Sequence, residues 1–562
     1  MKATNMKKAI SITQMLLTPL VVLALLLAAT ASYAAAPGIT GPNFKLIAQP
    51  ASLTQPDGAM IYSWGYGCNG APTGFAPSTI VGASCSSMQV PGPTLVVTAG
   101  QPVTVQLVNN LPTAAGNTSI LFPGFNVTAS GGVAGLLTQE ATPSASPACS
   151  GTSCVTYSFT ATTPGTHAYY SGTQGDLQIE MGLYGAIIVL PASTPSGCTA
   201  VGAVPAHYVA PGNSAELDYR LAGGAYNNPR SCYDREYLFQ FSEMDPGIHS
   251  QALAQVTAIT AKGGCTAGTA GCSLQVATEP YHPAYFMING RSMPDDMDPN
   301  YAPQYPHQPY NGNPHMHPGE LVLLRIIGQG RWQHPFHEHG NHVRILGRDG
   351  NLILSSAAAS EVNLAGPLLF TTTTTPGVTM DGIFYWTAKG LNWDAYGHNP
   401  DSADPLAKLP CVPDANGYNS VTTALNYYEW CQDHNKPVQA APFGDVAGNG
   451  PVTLPDPNLF TNGAWYGGSP YLGPDATTRA TGCAPGTGYT ASASGSTNQN
   501  CGATGSTPPS GTIANSPSSE AGFAFMWHSH NEREITTNNI FPGGMLMMML
   551  VDSREFQIDE SN

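Results

Sequence analysis

The stretch QHPFHEHGNHVRILGRDG, Gln333 to Gly350, holds three histidines within six positions: His334, His337 and His339. Successive side chains of a strand face opposite ways, so His337 and His339 share one side. Two imidazoles on one face at a strand end make half of a metal site, and the remaining ligands must come from elsewhere in the chain. A second stretch, HQPYNGNPHMHPGE, adds His307, His315 and His317. Its Pro and Asn content reads as a solvated loop ahead of a strand, with accessory metal capture as the alternative. MLMMML, Met545 to Leu550, reads as a buried strand filling core gaps and not as a run of thioether ligands.

The elements that must position these residues are strands. Helix signals are scarce, while 62 glycines and 49 prolines punctuate short β-rich runs, which predicts an all-β sandwich architecture. In TLVVTAGQPVTVQLVNNL, Val103, Val105 and Leu107 alternate with polar residues after a Gly turn, and YGAIIVL closes the same block, giving an N-terminal domain over 41–192. Residues 193–234 read as a linker. A second domain over 235–555 opens with REYLFQFSEMD and contains a loop-rich, disulfide-tied insertion at about 392–519. Strand character then returns in GFAFMWHSHNE and FPGGMLMMMLVD.

Residues 1–34 carry Lys2, Lys7 and Lys8 ahead of an apolar run and end in Ser32-Tyr33-Ala34, the pattern of a signal peptide cut after about Ala34. Export to periplasm or medium is the expectation, and no second apolar run approaches the roughly 20 residues of a membrane-spanning helix. The chain has 562 residues, enough for two to four domains, with 19 basic and 35 acidic side chains. Without the three leader lysines the balance is 16 against 35, which repels phosphate backbones and excludes nucleic acid as a partner. Twelve cysteines with no CxxC argue against zinc ribbons. In an oxidising compartment sequence neighbours pair plausibly: Cys68 with Cys85, Cys149 with Cys154, Cys198 with Cys232, Cys265 with Cys272, Cys411 with Cys431, Cys483 with Cys501.

VPGPTLVVTAGQPVTVQLVNNL, PGTHAYYSGTQGDLQIEMGLYGAIIV, HPFHEHG and FMWHSHNEREITTNNIFPGGM fall in the order of four segments of a multicopper oxidase, and the chain resembles that superfamily over most of 41–192, 235–390 and 520–552. The resemblance implies two cupredoxin-like Greek-key β-sandwich domains. It also shows departures. The family's first His-x-His-Gly is matched by LFPG, with Leu121 and Pro123 in the histidine places, and its second His-x-His by Tyr170-Ser171-Gly172. Ser529 stands where the family has a cysteine between two histidines, and Glu534 where a further histidine is expected.

Of eight cluster histidines implied by the family, His337, His339, His528 and His530 remain. Four imidazoles under-ligate three coppers but suffice for one ion, with copper expected and zinc the alternative. His334, with Glu534 and Met545, is the candidate for a second, harder site, and without a thiolate it cannot be a blue copper centre. Tyr170 is expected near the histidines, filling the space of a lost imidazole, and Glu338 is expected on the opposite strand face. The resulting expectation is a copper-binding oxidoreductase taking electrons from a small molecule or a metal ion. A non-catalytic metal-binding or surface protein is the competing one.

Overall fold

The computed structural model describes residues 36–198, 223–387 and 521–552, apart from 79, 81, 267, 268 and 359, together with 412–421 except 416, and with 430, 468–472 and 558. The predicted leader, much of the predicted linker and insertion, and the Cys411–Cys431 and Cys483–Cys501 pairs lie outside these residues. The other four predicted disulfides are present, Cys68–Cys85, Cys149–Cys154, Cys198–Cys232 and Cys265–Cys272.

The architecture is all-β, built as two sandwiches. In the first, one sheet runs Gly165–Tyr170, Tyr184–Leu190, Leu95–Thr98, Gly38–Thr40, Phe75–Ala76, and the other runs Met60–Cys68, Asn43–Thr54, Pro102–Asn109, Cys154–Thr160, Thr128–Gly131. Alternation makes Pro102–Asn109 a sandwich strand: Val103, Val105 and Leu107 are buried while Thr104 and Gln106 are partly exposed. Their inward faces meet Trp64, Tyr157 and Tyr169 in one core.

The second sandwich sets Tyr285–Ile288, Arg235–Met244, Leu321–Gly328, Thr379–Tyr385, Val343–Arg348 and Asn351–Leu352 against a sheet ordered His315–Met316, Leu546–Asp552, Ala521–Ser529, His334–Glu338, Thr371–Thr374. Phe239, Phe241, Phe336, Trp527, Met547 and Met549 fill the space between them. Each such buried side chain contributes about 1.5–3 kcal/mol on the transfer scale. Met545, Met547 and Met549 are all fully buried, in keeping with the core reading of the methionine run.

Two points go beyond or against the expectations. First, the scarce helix signals left Pro246–Lys262, a 17-residue helix, unmarked. Asp245 caps it by accepting from the Gly247 N–H, Pro246 starts it, and Gly263 ends it at φ +65°. Its Ile248, Ala252 and Ile259 join the first sandwich's core. Second, His315 and His317 are not in a solvated loop. Both are 2% exposed, in and just after a short strand parallel to Leu546–Asp552, and Asp552 Oδ2 lies 2.6 Å from His315 Nδ1. Within the expected insertion, the strand Gly468–Leu472 pairs antiparallel with Ala521–Ser529.

The sandwiches are joined by polar contacts on the sheet that contains Arg235–Met244 and Thr379–Tyr385. Asp381 accepts from the Thr166 N–H at 3.0 Å, and Tyr184 hydroxyl donates to Ser242 Oγ at 2.8 Å. Gln329 Nε2 donates to Gly185 O at 3.1 Å, and Tyr310 hydroxyl accepts from the Thr94 N–H at 3.0 Å.

Candidate metal centre

Strand register builds the centre. His334–Glu338 pairs antiparallel with Ala521–Ser529, placing His337 directly opposite His528, Phe336 opposite Ser529 and Glu338 opposite Trp527. Directly paired residues point to the same face, and the face alternates along each strand. His337, His339, His528 and His530 therefore share the outer face, while His334, Phe336, Glu338, Trp527 and Ser529 turn into the core.

All four outer rings converge. The His337 ring centroid lies 4.7 Å from His339, 5.7 Å from His528 and 5.1 Å from His530. His528 is 5.3 Å from His339 and 5.4 Å from His530. His528 Nδ1–H donates to Ser529 O at 2.7 Å, which leaves Nε2 with its lone pair, 3.3 Å from His339 Nε2. His337 Nδ1 is bonded to Thr371 Oγ1 at 2.8 Å, turning its Nε2 toward the cluster. Burial first, then the neighbouring His528 and His530, hold His337 down at about 4, and burial likewise lowers His528. Neutral imidazoles whose Nδ1 atoms are fixed by oxygen partners are the protonation and orientation that metal ligation requires.

Two nitrogens bound at 2.0–2.1 Å to one tetrahedral ion stand about 3.3 Å apart, the spacing of the His339 and His528 Nε2 atoms. Among the described residues no group of three or more His, Cys, Asp and Glu side chains already stands in a metal-holding arrangement. The donor set fits copper or zinc by chemistry, with one pair at ligand spacing and the His337 and His530 rings beside it. His530 is exposed and Phe370, 56% exposed, packs edge-on to His337 at 5.7 Å, so the cluster opens to solvent.

A site between the two sandwiches was the expectation, and the polar contacts named above join the sandwiches through other residues than the four histidines. Tyr170 adjoins Leu121, whose N–H donates to Tyr170 O at 2.8 Å, and its hydroxyl faces Gly377. Leu121 and Tyr170, at two of the places where the resemblance implies ligands, are thus backbone neighbours.

His334 belongs to a different structure. Nδ1 lies 2.9 Å from Glu534 Oε2 and Nε2 lies 3.0 Å from Glu243 Oε2, so the ring is held between two carboxylates. Burial alone would lower its pKa, but the two carboxylates outweigh it and raise it to about 9. Ser529 Oγ donates to Glu534 Oε2 at 2.5 Å and Asn531 Nδ2 to Oε1 at 2.9 Å. Glu243 Oε1 accepts from the Arg331 and Trp332 N–H groups at 2.7 and 2.9 Å. Met545 is buried beside this network, its N–H donating to Glu534 O. Glu243 was not singled out from the sequence; its position inside the apolar strand REYLFQFSEMD was the available signal.

Glu338 faces the core as expected. Thr372 Oγ1 donates to its Oε1 at 2.5 Å, and burial pushes its carboxyl up to about 8.

With this geometry in view, the chain's relatives can be placed. Residues 82–194 and residues 277–384 each match a multicopper oxidase family model. No curated protein matches the sequence. Similar solved structures include a blue copper oxidase from Nitrosomonas europaea, at 13% identity and TM-score 0.39, spanning 91% of this chain and 85% of that one. A copper nitrite reductase from the same organism shows 16% identity and TM-score 0.35 over 61% and 84%, and the multicopper oxidase mgLAC 18% and 0.35 over 61% and 74%. Over residues 82–194 and 277–384 the chain is similar to multicopper oxidases. The chain is thus multicopper-oxidase-like, and copper binding is what that family implies.

Proposed function

We propose that this chain is an exported oxidoreductase that holds a single copper ion at His337, His339, His528 and His530 and lacks a blue copper centre. The observation that carries the reading is the convergence of four imidazoles on one sheet face, with the His339 and His528 Nε2 atoms 3.3 Å apart. When bound, copper would supply one-electron exchange with a small organic or metal-ion donor. Thr371 and the Ser529 carbonyl orient the His337 and His528 rings. Phe370 offers an exposed aromatic wall next to His337 against which a flat donor could rest. Ser529, tied to Glu534, supplies no thiolate.

The test is copper loading of the purified chain, followed by elemental analysis, electron paramagnetic resonance and an optical spectrum. One copper per chain with nitrogen hyperfine structure and no intense thiolate-to-copper band is the expected result. Three coppers per chain, or a blue band, would overturn it. Oxygen uptake with a phenol donor then separates oxidoreductase from carrier: bound copper without turnover refutes the enzymatic half.

A further inference from the structure

At Ala36 the described chain enters the interface between the two sandwiches. Ala36 is fully buried among Ala168, Ala186 and Ile188 of the first and Leu238 and Ile327 of the second. Its N–H donates to Glu236 Oε1 at 3.0 Å. The other oxygen of Glu236 accepts from Arg325 Nε at 2.5 Å. Arg325 also reaches Thr166 Oγ1 at 3.1 Å and Asp381 Oδ1 at 3.4 Å. Asp381 in turn accepts from Tyr226 hydroxyl at 2.6 Å.

The side chains of Arg325, Glu236 and Asp381 are at most 1% exposed, so among the described residues this interdomain clasp holds two buried carboxylates against one guanidinium. A buried excess charge is costly unless it is paired. A second cation has a ready source. The leader-like residues 1–34 end one residue before Ala35, and a cut there, or one position later, creates an α-ammonium within one peptide unit of the nitrogen already bonded to Glu236. An amide N–H brings one donor and no charge. An ammonium brings three donors and the charge that balances the clasp.

We propose that leader removal completes the interdomain clasp: the new α-ammonium at Ala35 or Ala36 becomes the buried ion-pair partner of Glu236, so that the two sandwiches lock fully only in the processed chain. This rests on the export reading but not on the copper centre. The leader and the clasp lie far apart in sequence, and nothing in the small-x-small pattern requires its cut to fall beside a buried acid.

The full chain, leader included, is expressed in an exporting host, and the mature product is compared with a variant carrying Gly-Ser-Gly-Ser inserted between Ala34 and Ala35. Intact mass and N-terminal sequencing locate the start. Reductive methylation at neutral pH then measures the reactivity of the α-amine. A mature start at Ala35 or Ala36 is expected, with an α-amine that reacts roughly ten-fold more slowly than that of the extended variant, since each unit by which pairing raises the amine's pKa cuts the reactive free base about ten-fold. Urea should abolish the difference. Glu236→Gln, where it folds, should react at the extended variant's rate. Equal rates in native wild type and extended variant, or a start three or more residues from Ala36, overturn the proposal while leaving export intact. A product retaining residues 1–34 overturns both.

Discussion

His334 should make the metal-free protein lose stability as pH rises through the neutral range, and replacing it should remove that loss. Its ring is buried between Glu243 and Glu534, and those carboxylates raise its pKa from an ordinary 6.5 to about 9. A group whose folded pKa is raised binds its proton more tightly in the native state. Its stabilisation is therefore complete below pH 6.5 and is lost as pH climbs through 9. From 6.5 to about 9, at about 1.36 kcal/mol per pH unit, that loss is about 3 kcal/mol. The assay is urea unfolding of wild type and His334→Gln from pH 6 to 10. At pH 6 the variant should be less stable by about 3–5 kcal/mol, the cost of breaking a buried pair. Toward pH 9 the gap should narrow by about 3 kcal/mol. Other titrating groups, such as Glu338 and His337, are common to both proteins and cancel in the difference. Parallel curves across this window would refute the claim that His334 is held as a buried imidazolium.

Three further outcomes follow from the same geometry. Thr371→Val removes the oxygen that fixes His337 Nδ1 and should weaken copper binding by about 10-fold or more with the fold intact; unchanged affinity by calorimetry would contradict that orienting role. Ser529→Cys alone should not produce a blue centre on copper loading, because both nitrogens of the nearby His334 remain engaged by carboxylates; an intense visible charge-transfer band from this single change would be the contrary result. Glu338→Gln should stabilise the protein by about 3 kcal/mol at pH 7 and hardly at pH 4, since a carboxyl raised from 4.5 to about 8 loses stability across that interval, and equal effects at the two pH values in urea unfolding would rule this out.

What the sequence made legible is what depends on strand period. His337 and His339, two apart, share a face, as do His528 and His530, and Glu338 is turned inward, because side chains alternate whatever the tertiary context. The same parity separates His334, an odd number of positions from His337, from the cluster. Its partner Glu243 lies 91 residues away on another strand, and only the packing of two sheets brings them to 3.0 Å. How the two sandwiches meet was illegible for a similar reason, since it is set by contacts such as Thr166 with Asp381 and Tyr184 with Ser242, each dispersed over the chain. The Pro246–Lys262 helix, by contrast, had a local signal in Asp245, Pro246 and Gly263 that the abundance of β-type runs masked.

Ser529 is where the two faces of the sheet meet. Its neighbours His528 and His530 point outward to the candidate metal, while its own hydroxyl points inward to Glu534 and, through it, to His334 and Glu243. A cysteine at that place would couple an inner copper to the outer site through one covalent strand. A serine held at 2.5 Å by a carboxylate performs a different service, fixing the strand that carries two of the four outer rings. The inner network is closed to metal by its own hydrogen bonds, since His334 has no free nitrogen and Ser529, Asn531 and two backbone N–H groups occupy carboxylate oxygens that a cation would need. The inner face is thus a self-satisfied polar core, while the outer face presents the four imidazoles, and that contrast is the physical reason the proposed copper is placed on the outer face.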